Sequence, residues 1–326
     1  MTTEHYSFHG LNLSLSGRRP VLEALHSRLG RFPGGRPGEA WDARFEFVRE
    51  GEAEAQAARR PGALGRSILD LGPHQALYFD GPEQLYLEVE RRARAVCDLK
   101  TRQATIAYEA GEEAELWLLS HLFFTVPLAE LLKRRGLYMA HMAGVAIGGQ
   151  GLLLAGASGA GKTTLTLALL RGGFDFLADD TLFLARRAGL RALAFPDELD
   201  ITAQTASFFP ELGTWQPGGA TRGPQKRPIC ATRVYGVAPC WECAPAVLLF
   251  PQPSGSGQSA LAPMPKSEAL LQLVCNVLRT EPLSSQAHLD VLAELVNRCR
   301  CCRLHTGRDF DALPGLMRRL LEEGPP

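Results

Sequence analysis

The sequence carries no surplus of charge of either sign: 35 Lys and Arg stand against 35 Asp and Glu, and the formal net charge is zero. That absence excludes a protein held to nucleic acid by overall positive charge, whose many phosphate contacts need an excess of basic side chains. It leaves room for a local phosphate site, which uses backbone N–H groups and one or two charges. No run of 18 uninterrupted apolar residues occurs, so no membrane-spanning helix is expected. The opening MTTEHYSFHG lacks the charged-then-apolar order of a secretory signal. No internal repeat is present, which excludes solenoid architectures. These absences together predict a cytoplasmic protein without a nucleic-acid or membrane partner, its eight cysteines kept as reduced thiols.

What is present is a globular composition, with 45% apolar residues. At about 150 residues per domain, 326 residues suggest two domains, or one large one with appendages. Glycine and proline are abundant, 33 and 22 residues, and predict long, punctuated loops. Residues 5–15 alternate apolar and polar and predict one strand. Residues 30–65 read as loops around a short strand, Ala43–Val48. Residues 75–109 hold the strand-like runs ALYFDG, LYLEVE and RQATIAYEA, with Asp80-Gly81 as a hairpin signal. Residues 1–112 are therefore expected to form a small, mainly antiparallel α+β domain.

The second domain is expected over 113–326. It opens on a helical pattern at 113–135 that Pro127 should kink or split. Two apolar runs, 144–147 and 152–156, flank a glycine-rich turn, Gly148-Gly149-Gln150-Gly151. A helix is predicted over 161–171, with Gly172 and Gly173 in the left-handed positions beyond its end. A strand over 174–180, a late core strand at 245–250, and helices over 266–279, 286–297 and 309–322 complete the pattern.

The strongest motif is Gly156-Ala157-Ser158-Gly159-Ala160-Gly161-Lys162-Thr163, which fits G-x-x-x-x-G-K-[ST] at every fixed position. Glycines let such a loop turn its N–H groups toward phosphate oxygens, and the following helix N-terminus adds positive potential. Lys162 reaches the terminal phosphates and the Thr163 hydroxyl meets Mg²⁺. Next come Asp179 and Asp180, 17 and 18 residues after Lys162. A helix, a turn and a short strand use up that spacing, so the pair should lie near the γ-phosphate. Adjacent strand residues face opposite ways, so one Asp can face the metal while the other faces the attacking group, unless a bend at the strand end lets both converge. A surface turn at Asp-Asp-Thr is the other reading. His141, isolated among apolar residues, fits a core histidine as well as a catalytic one.

His141, Gly144-Val145, the Gly156–Thr163 loop, Arg171-Gly172 and Ala178-Asp179-Asp180 together resemble the kinase domain of HPr kinase/phosphorylase and the wider group of HPr-kinase-related proteins. The resemblance implies an α/β fold, a P-loop kinase domain of the HPr kinase/PEP carboxykinase-like type. It implies ATP and Mg²⁺ as cofactors, and nucleotide binding by Gly156, Ala157, Ser158, Gly159, Ala160, Gly161, Lys162, Thr163 and Thr164. Asp180 would be the general base on a seryl hydroxyl, with Asp179, His141 and Lys162 assisting. Thr163, Asp179 and Glu198 would hold the metal, Glu198 standing for the family's second metal ligand although the L-E-x-R-G block is absent here. The acceptor would be a small protein, peptide or metabolite bearing a hydroxyl, and the chain a homo-oligomer. The rival function is a nucleotide-binding regulatory or assembly module with weak or no kinase activity.

Three features stand outside this pattern. Gly223-Pro-Gln-Lys226-Arg227 is a basic loop that either clamps a phosphate or is merely solvated. Cys240/Cys243 and Cys299/Cys301/Cys302, with His305 nearby, have the spacing of zinc-ligand halves, against the plainer reading of reduced, partly buried thiols. The basic runs at 91–94, 133–135, 298–303 and 318–319 are expected to be solvated faces.

Overall fold

In the computed structural model, the described residues are 1–36, 38–59, 65–70, 75–80, 83–89, 92–109, 113–195, 198–214, 216, 226–275 and 282–323. The chain forms a mixed α/β structure of two compact units, one centred on residues 1–135, the other on 136–279 and 285–326. The division falls after Arg135 rather than near residue 112, because the helical segment expected to open the second domain packs within the first unit.

The first unit holds β1 (Thr2–Phe8), β2 (Leu11–Gly17), α1 (Arg19–Leu29), β3 (Ala43–Arg49), β4 (Gly65–Asp70), β5 (Gln75–Asp80), β6 (Gln84–Val89), β7 (Ala93–Asp98) and β8 (Gln103–Tyr108). They make one eight-stranded sheet in the order β1-β2-β3-β8-β7-β6-β5-β4. Pairings are antiparallel except β2 with β3 and β3 with β8. The single strand expected over 5–15 is two, because His9 and Gly10 both take positive φ (50° and 88°) and reverse the chain. The Asp80-Gly81 turn lies partly outside the described residues, but Asp80 pairs with Leu85 as a hairpin requires.

Helix α2 (Glu113–Leu118), a π-helical stretch at Leu119–Phe123 and α3 (Phe124–Lys133) follow. Pro127 does not split the helix; it sits inside α3. Pro127 has no N–H to give the carbonyl four residues back, and the ladder widens in the turn just before it. The buried Arg28 of α1 donates to the Ser120 carbonyl in that wide turn and to Thr125 Oγ1 at 2.9 Å. Phe45 of β3 meets Phe124 with ring centroids 4.9 Å apart. The helical stretch Leu116–Lys133 is long and apolar enough, by length and composition, to cross a membrane, and 78% of it is buried inside the protein. Counting uninterrupted apolar residues overlooks it, because single polar residues barely lower an 18-residue average. Lys133, expected on a solvated face, is 4% exposed and pairs with buried Glu130 at 2.7 Å.

The second unit contains β9 (Leu137–Ala140), β10 (Ala143–Ile147), β11 (Gln150–Leu154), α4 (Lys162–Arg171), β12 (Asp175–Ala178), β13 (Leu182–Arg187), β14 (Gly189–Ala194), β15 (Leu199–Ile201), α5 (Ala203–Ser207), β16 (Arg227–Ile229), α6 (Ala231–Tyr235), β17 (Glu242–Pro253), β18 (Ala260–Pro263), α7 (Lys266–Val274), α8 (Pro282–Arg298), β19 (Arg300–Thr306) and α9 (Leu313–Glu322). The long strand β17 organises them. Its first residues pair with β14, and the rest runs parallel to β11 on one side and β19 on the other. Strands β12 and β10 extend the sheet beyond β11, while β13 and β9 extend it beyond β14.

The central strands are buried on both faces, which explains the unbroken LLLA of β11. Leu152 and Leu154 join a core with α4, α9, Phe174, Phe176 and Phe209, whereas Leu153 and Ala155 join a second core with β13, β14, α7 and α8. Burying each such large side chain contributes about 1.5–3 kcal/mol. The turn between β10 and β11 is tighter than the four-residue run suggests: Gly148 and Gly149 alone turn it, at φ 58° and 78°, and Gln150 already pairs with Ile147. Past α4 only Gly173 is left-handed, at φ 83°. Gly172 has φ −80° and is required for room instead, since a Cβ there would lie 2.3 Å from Pro314 Cβ.

Candidate functional site

Strand direction assembles the site. β10 is antiparallel to both β11 and β12, so the carboxyl ends of β11 and β12 and the amino end of β10 share one edge of the sheet. The glycine loop leaves that edge after β11, the Asp pair after β12, and His141 enters just before β10. The pairings Ala140 with Leu182 and Gly144 with Ala178 keep one register across the two connectors. Residues 141 and 180 therefore lie within one residue of direct opposition where β9 passes into β10 and β12 into β13. His141 Nδ1 is 3.3 Å from Asp180 Oδ1.

The loop's glycines do steric work. Gly156, Gly159 and Gly161 have φ of 148°, 81° and 90°, conformations that L side chains rarely adopt. Gly161 starts α4 with no side-chain cap, leaving the first N–H groups of the helix for an anion. Lys162 is 8% exposed and curls back over the loop, with Nζ donating to Gly156 O at 2.7 Å and Ala157 O at 3.3 Å. Burial lowers its pKa, and Asp180 and Asp179 oppose that shift. An incoming phosphate would take over those carbonyl contacts. The Thr163 hydroxyl donates to Asp179 Oδ2 at 3.1 Å. Thr164 faces elsewhere, within 3.3 Å of Thr205 Oγ1 on α5.

The two aspartates face opposite ways. Asp179 is 8% exposed, and burial, reinforced by the Asp180 charge, pushes its pKa up to about 7 against the pull of Thr163 and Lys162. Its Oδ1 is buried without a hydrogen-bond partner. Asp180 has 68% of its side chain exposed. The protein around it pushes its pKa up, but the His141 hydrogen bond and the charges of His141, Lys162 and Lys226 outweigh that and hold it below the ordinary carboxylate value.

A buried carboxylate oxygen with no donor, beside a threonine hydroxyl at a helix N-terminus, fits a hard cation such as Mg²⁺. Mg²⁺ keeps waters and substrate phosphates as ligands, so a full protein cage is not required. Among the described residues, no three His, Cys, Asp or Glu side chains gather as a metal-holding group. Cys243, Cys299, Cys301 and Cys302 lie buried as free thiols.

Glu198 is exposed and stands just before β15. The carboxylate whose charge raises the Asp179 pKa from this segment is Asp200, two residues on within β15. The alternation Glu198-Leu199-Asp200-Ile201 was the signal for it: Leu199 and Ile201 enter the core, so Glu198 and Asp200 share the other face. Lys226, at the start of the ribbon in which β16 pairs with β15, sends its charge to both Lys162 and Asp180. Residues 223–225 of that basic loop lie outside the described residues.

No family model and no curated protein matches the chain. Among solved structures, the HPr(Ser) kinase/phosphatase from Coxiella burnetii is similar at 15% identity and a TM-score of 0.28, over 57% of this chain and 94% of that one.

Proposed function

We propose that the protein is an ATP- and Mg²⁺-dependent kinase that transfers the γ-phosphoryl group to a hydroxyl, foremost a serine of a small protein or peptide, with a metabolite hydroxyl as the other acceptor class. The observation that carries this reading is the division of labour in the Asp pair. One carboxylate is buried against Thr163 with an orphan oxygen, and the other is exposed, its Oδ1 3.3 Å from His141 Nδ1. A nucleotide-binding module needs only the first of these.

The loop N–H groups and Lys162 would cradle the phosphates, and Thr163 with Asp179 would hold the cation, with Asp200 or Glu198 as a further acidic neighbour. Bound there, Mg²⁺ neutralises charge on the β- and γ-phosphates. Asp180, ionised at neutral pH, accepts the acceptor's O–H proton as the oxygen attacks the γ-phosphorus. The bond from that phosphorus to the β–γ bridging oxygen breaks, and ADP leaves. His141 holds the Asp180 carboxylate in place, and Lys226 adds positive charge beside the developing transition state.

The test incubates the protein with γ-labelled ATP and the small proteins encoded beside its gene, wild type alongside Asp180→Asn. Transfer is expected to fall by about 10²-fold or more in the variant, with ATP binding retained. Transfer that survives the substitution removes Asp180 as the base. Tight ATP binding without transfer to any acceptor would favour a regulatory or assembly module.

A further inference from the structure

The nucleotide has a second half, and the sheet edge offers a place for it. We propose that the loops following β17 and β19, residues 253–259 and 306–309, bind the nucleoside of the nucleoside triphosphate. This inference rests on the kinase reading of the glycine loop.

The direction of the bound nucleotide follows from the site's polarity. Along the edge, the carboxyl ends run in the order β12, β11, β17, β19. The Thr163–Asp179 contact fixes the cation, and with it the terminal phosphate, on the β12 side. A triphosphate lying across the α4 N-terminus must then project its nucleoside the other way, over β17 and β19. Ligands of open α/β sheets sit outside the carboxyl ends of the strands in this manner.

The loops in that position form a built shelf. Pro253 closes against the glycine loop, where a Cβ on Gly161 would lie 3.8 Å from Pro253 Cγ. Ser254 N donates to Thr306 O at 3.0 Å, tying the two loops together. Asp309 accepts from Ser259 N at 3.0 Å and from Ser259 Oγ at 2.5 Å, and Gly307 N donates to the same Oγ at 2.9 Å. Gly307 is required by contact: a Cβ there would stand 2.5 Å from the Gln258 carbonyl carbon. Nothing in the phosphate site explains why a surface loop is held this firmly. Residues 252–258 and Arg308 are nonetheless exposed. The Ser254 and Ser256 hydroxyls, 2.7 Å apart, retain acceptor capacity for ribose hydroxyls. No carboxylate among the described residues pairs with Arg308, whose planar guanidinium suits stacking on a base.

The probes are MgATP and Mg-tripolyphosphate, titrated calorimetrically into wild type, Arg308→Ala and Ser256→Tyr, with thermal melts to show that the exposed substitutions leave the fold intact. Tripolyphosphate has the phosphates without the nucleoside. ATP affinity is expected to fall about tenfold in each variant, while tripolyphosphate affinity stays within about twofold of wild type. Equal losses for both ligands, or no loss for ATP, overturn the assignment of the nucleoside to these loops. Wild-type protein that binds neither ligand overturns the kinase reading as well, so the two failures are distinguishable.

Discussion

Replacing Asp179 by Asn should stabilise the metal-free protein at neutral and alkaline pH, because the ionised side chain is held there at a cost. Its pKa rises from 3.8 to about 7, chiefly by burial and then by the Asp180 charge. At about 1.4 kcal/mol per unit, the penalty reaches roughly 4 kcal/mol as an upper limit. The sign follows from proton linkage. Between the two values the folded protein keeps a proton on Asp179 that the unfolded chain has released, so stability falls as pH rises through this window and levels off above about 7. Asn stays neutral throughout, and its amide oxygen can still accept from Thr163. Urea unfolding in EDTA, from pH 4 to pH 9, should show the variant close to wild type at the acid end and more stable by up to a few kcal/mol at the alkaline end. Added Mg²⁺ should then raise the wild-type midpoint at pH 8 and leave the variant unmoved. A gap between the two proteins that does not change with pH would refute the account, since it would mean that Asp179 ionises as freely in the folded protein as in the unfolded one.

His141→Ala removes the hydrogen bond that helps hold the Asp180 pKa low, so the acid limb of the kcat/KM–pH profile should move to higher pH; an unmoved limb would separate His141 from the base. Gly144→Ala places a Cβ 2.8 Å from Leu177 Cδ2 and 3.2 Å from Leu153 Cδ2. It should cost about 1–3 kcal/mol in chemical denaturation and lower activity as well, because Leu177 precedes the Asp pair by two residues on the displaced strand.

Local chemistry was legible wherever one residue type has one use. Gly156, Gly159 and Gly161 stand where the backbone takes φ of 148°, 81° and 90°, which L side chains rarely adopt, so the glycine pattern marked where the loop turns before Lys162 and Thr163. Gly148-Gly149 identified a hairpin for the same reason. The apolar runs of β10, β11 and β17 read as buried strands, since only a strand covered on both faces needs no polar residue. Positions that depend on averaging or on distant partners were not legible. The helix over 116–133 was legible from its spacing, but its apolar length was not, because Ser120, His121, Thr125 and Glu130 interrupt the apolar run without lowering its average much. Lys133 reads as a surface charge until Glu130 is found beside it in the core.

The sequence alone determined the parts: a glycine loop ending in Lys162 and Thr163, a carboxylate pair at a strand end, and a histidine ahead of them. Their spacing along the chain could not say which aspartate does what. Tertiary structure sets the two apart in surroundings, because the antiparallel β10 brings His141 beside Asp180 while the α4 N-terminus brings Thr163 against Asp179. Burial and the Asp180 charge raise the pKa of Asp179, while His141, Lys162 and Lys226 outweigh the surrounding protein and hold that of Asp180 low. The fold also brought the charges of Asp200 and Lys226 to bear on the Asp pair, through a short ribbon that pairs residues almost thirty positions apart. Motifs are written by backbone sterics and survive in one dimension; electrostatic roles arise from burial, which exists only once the chain has folded.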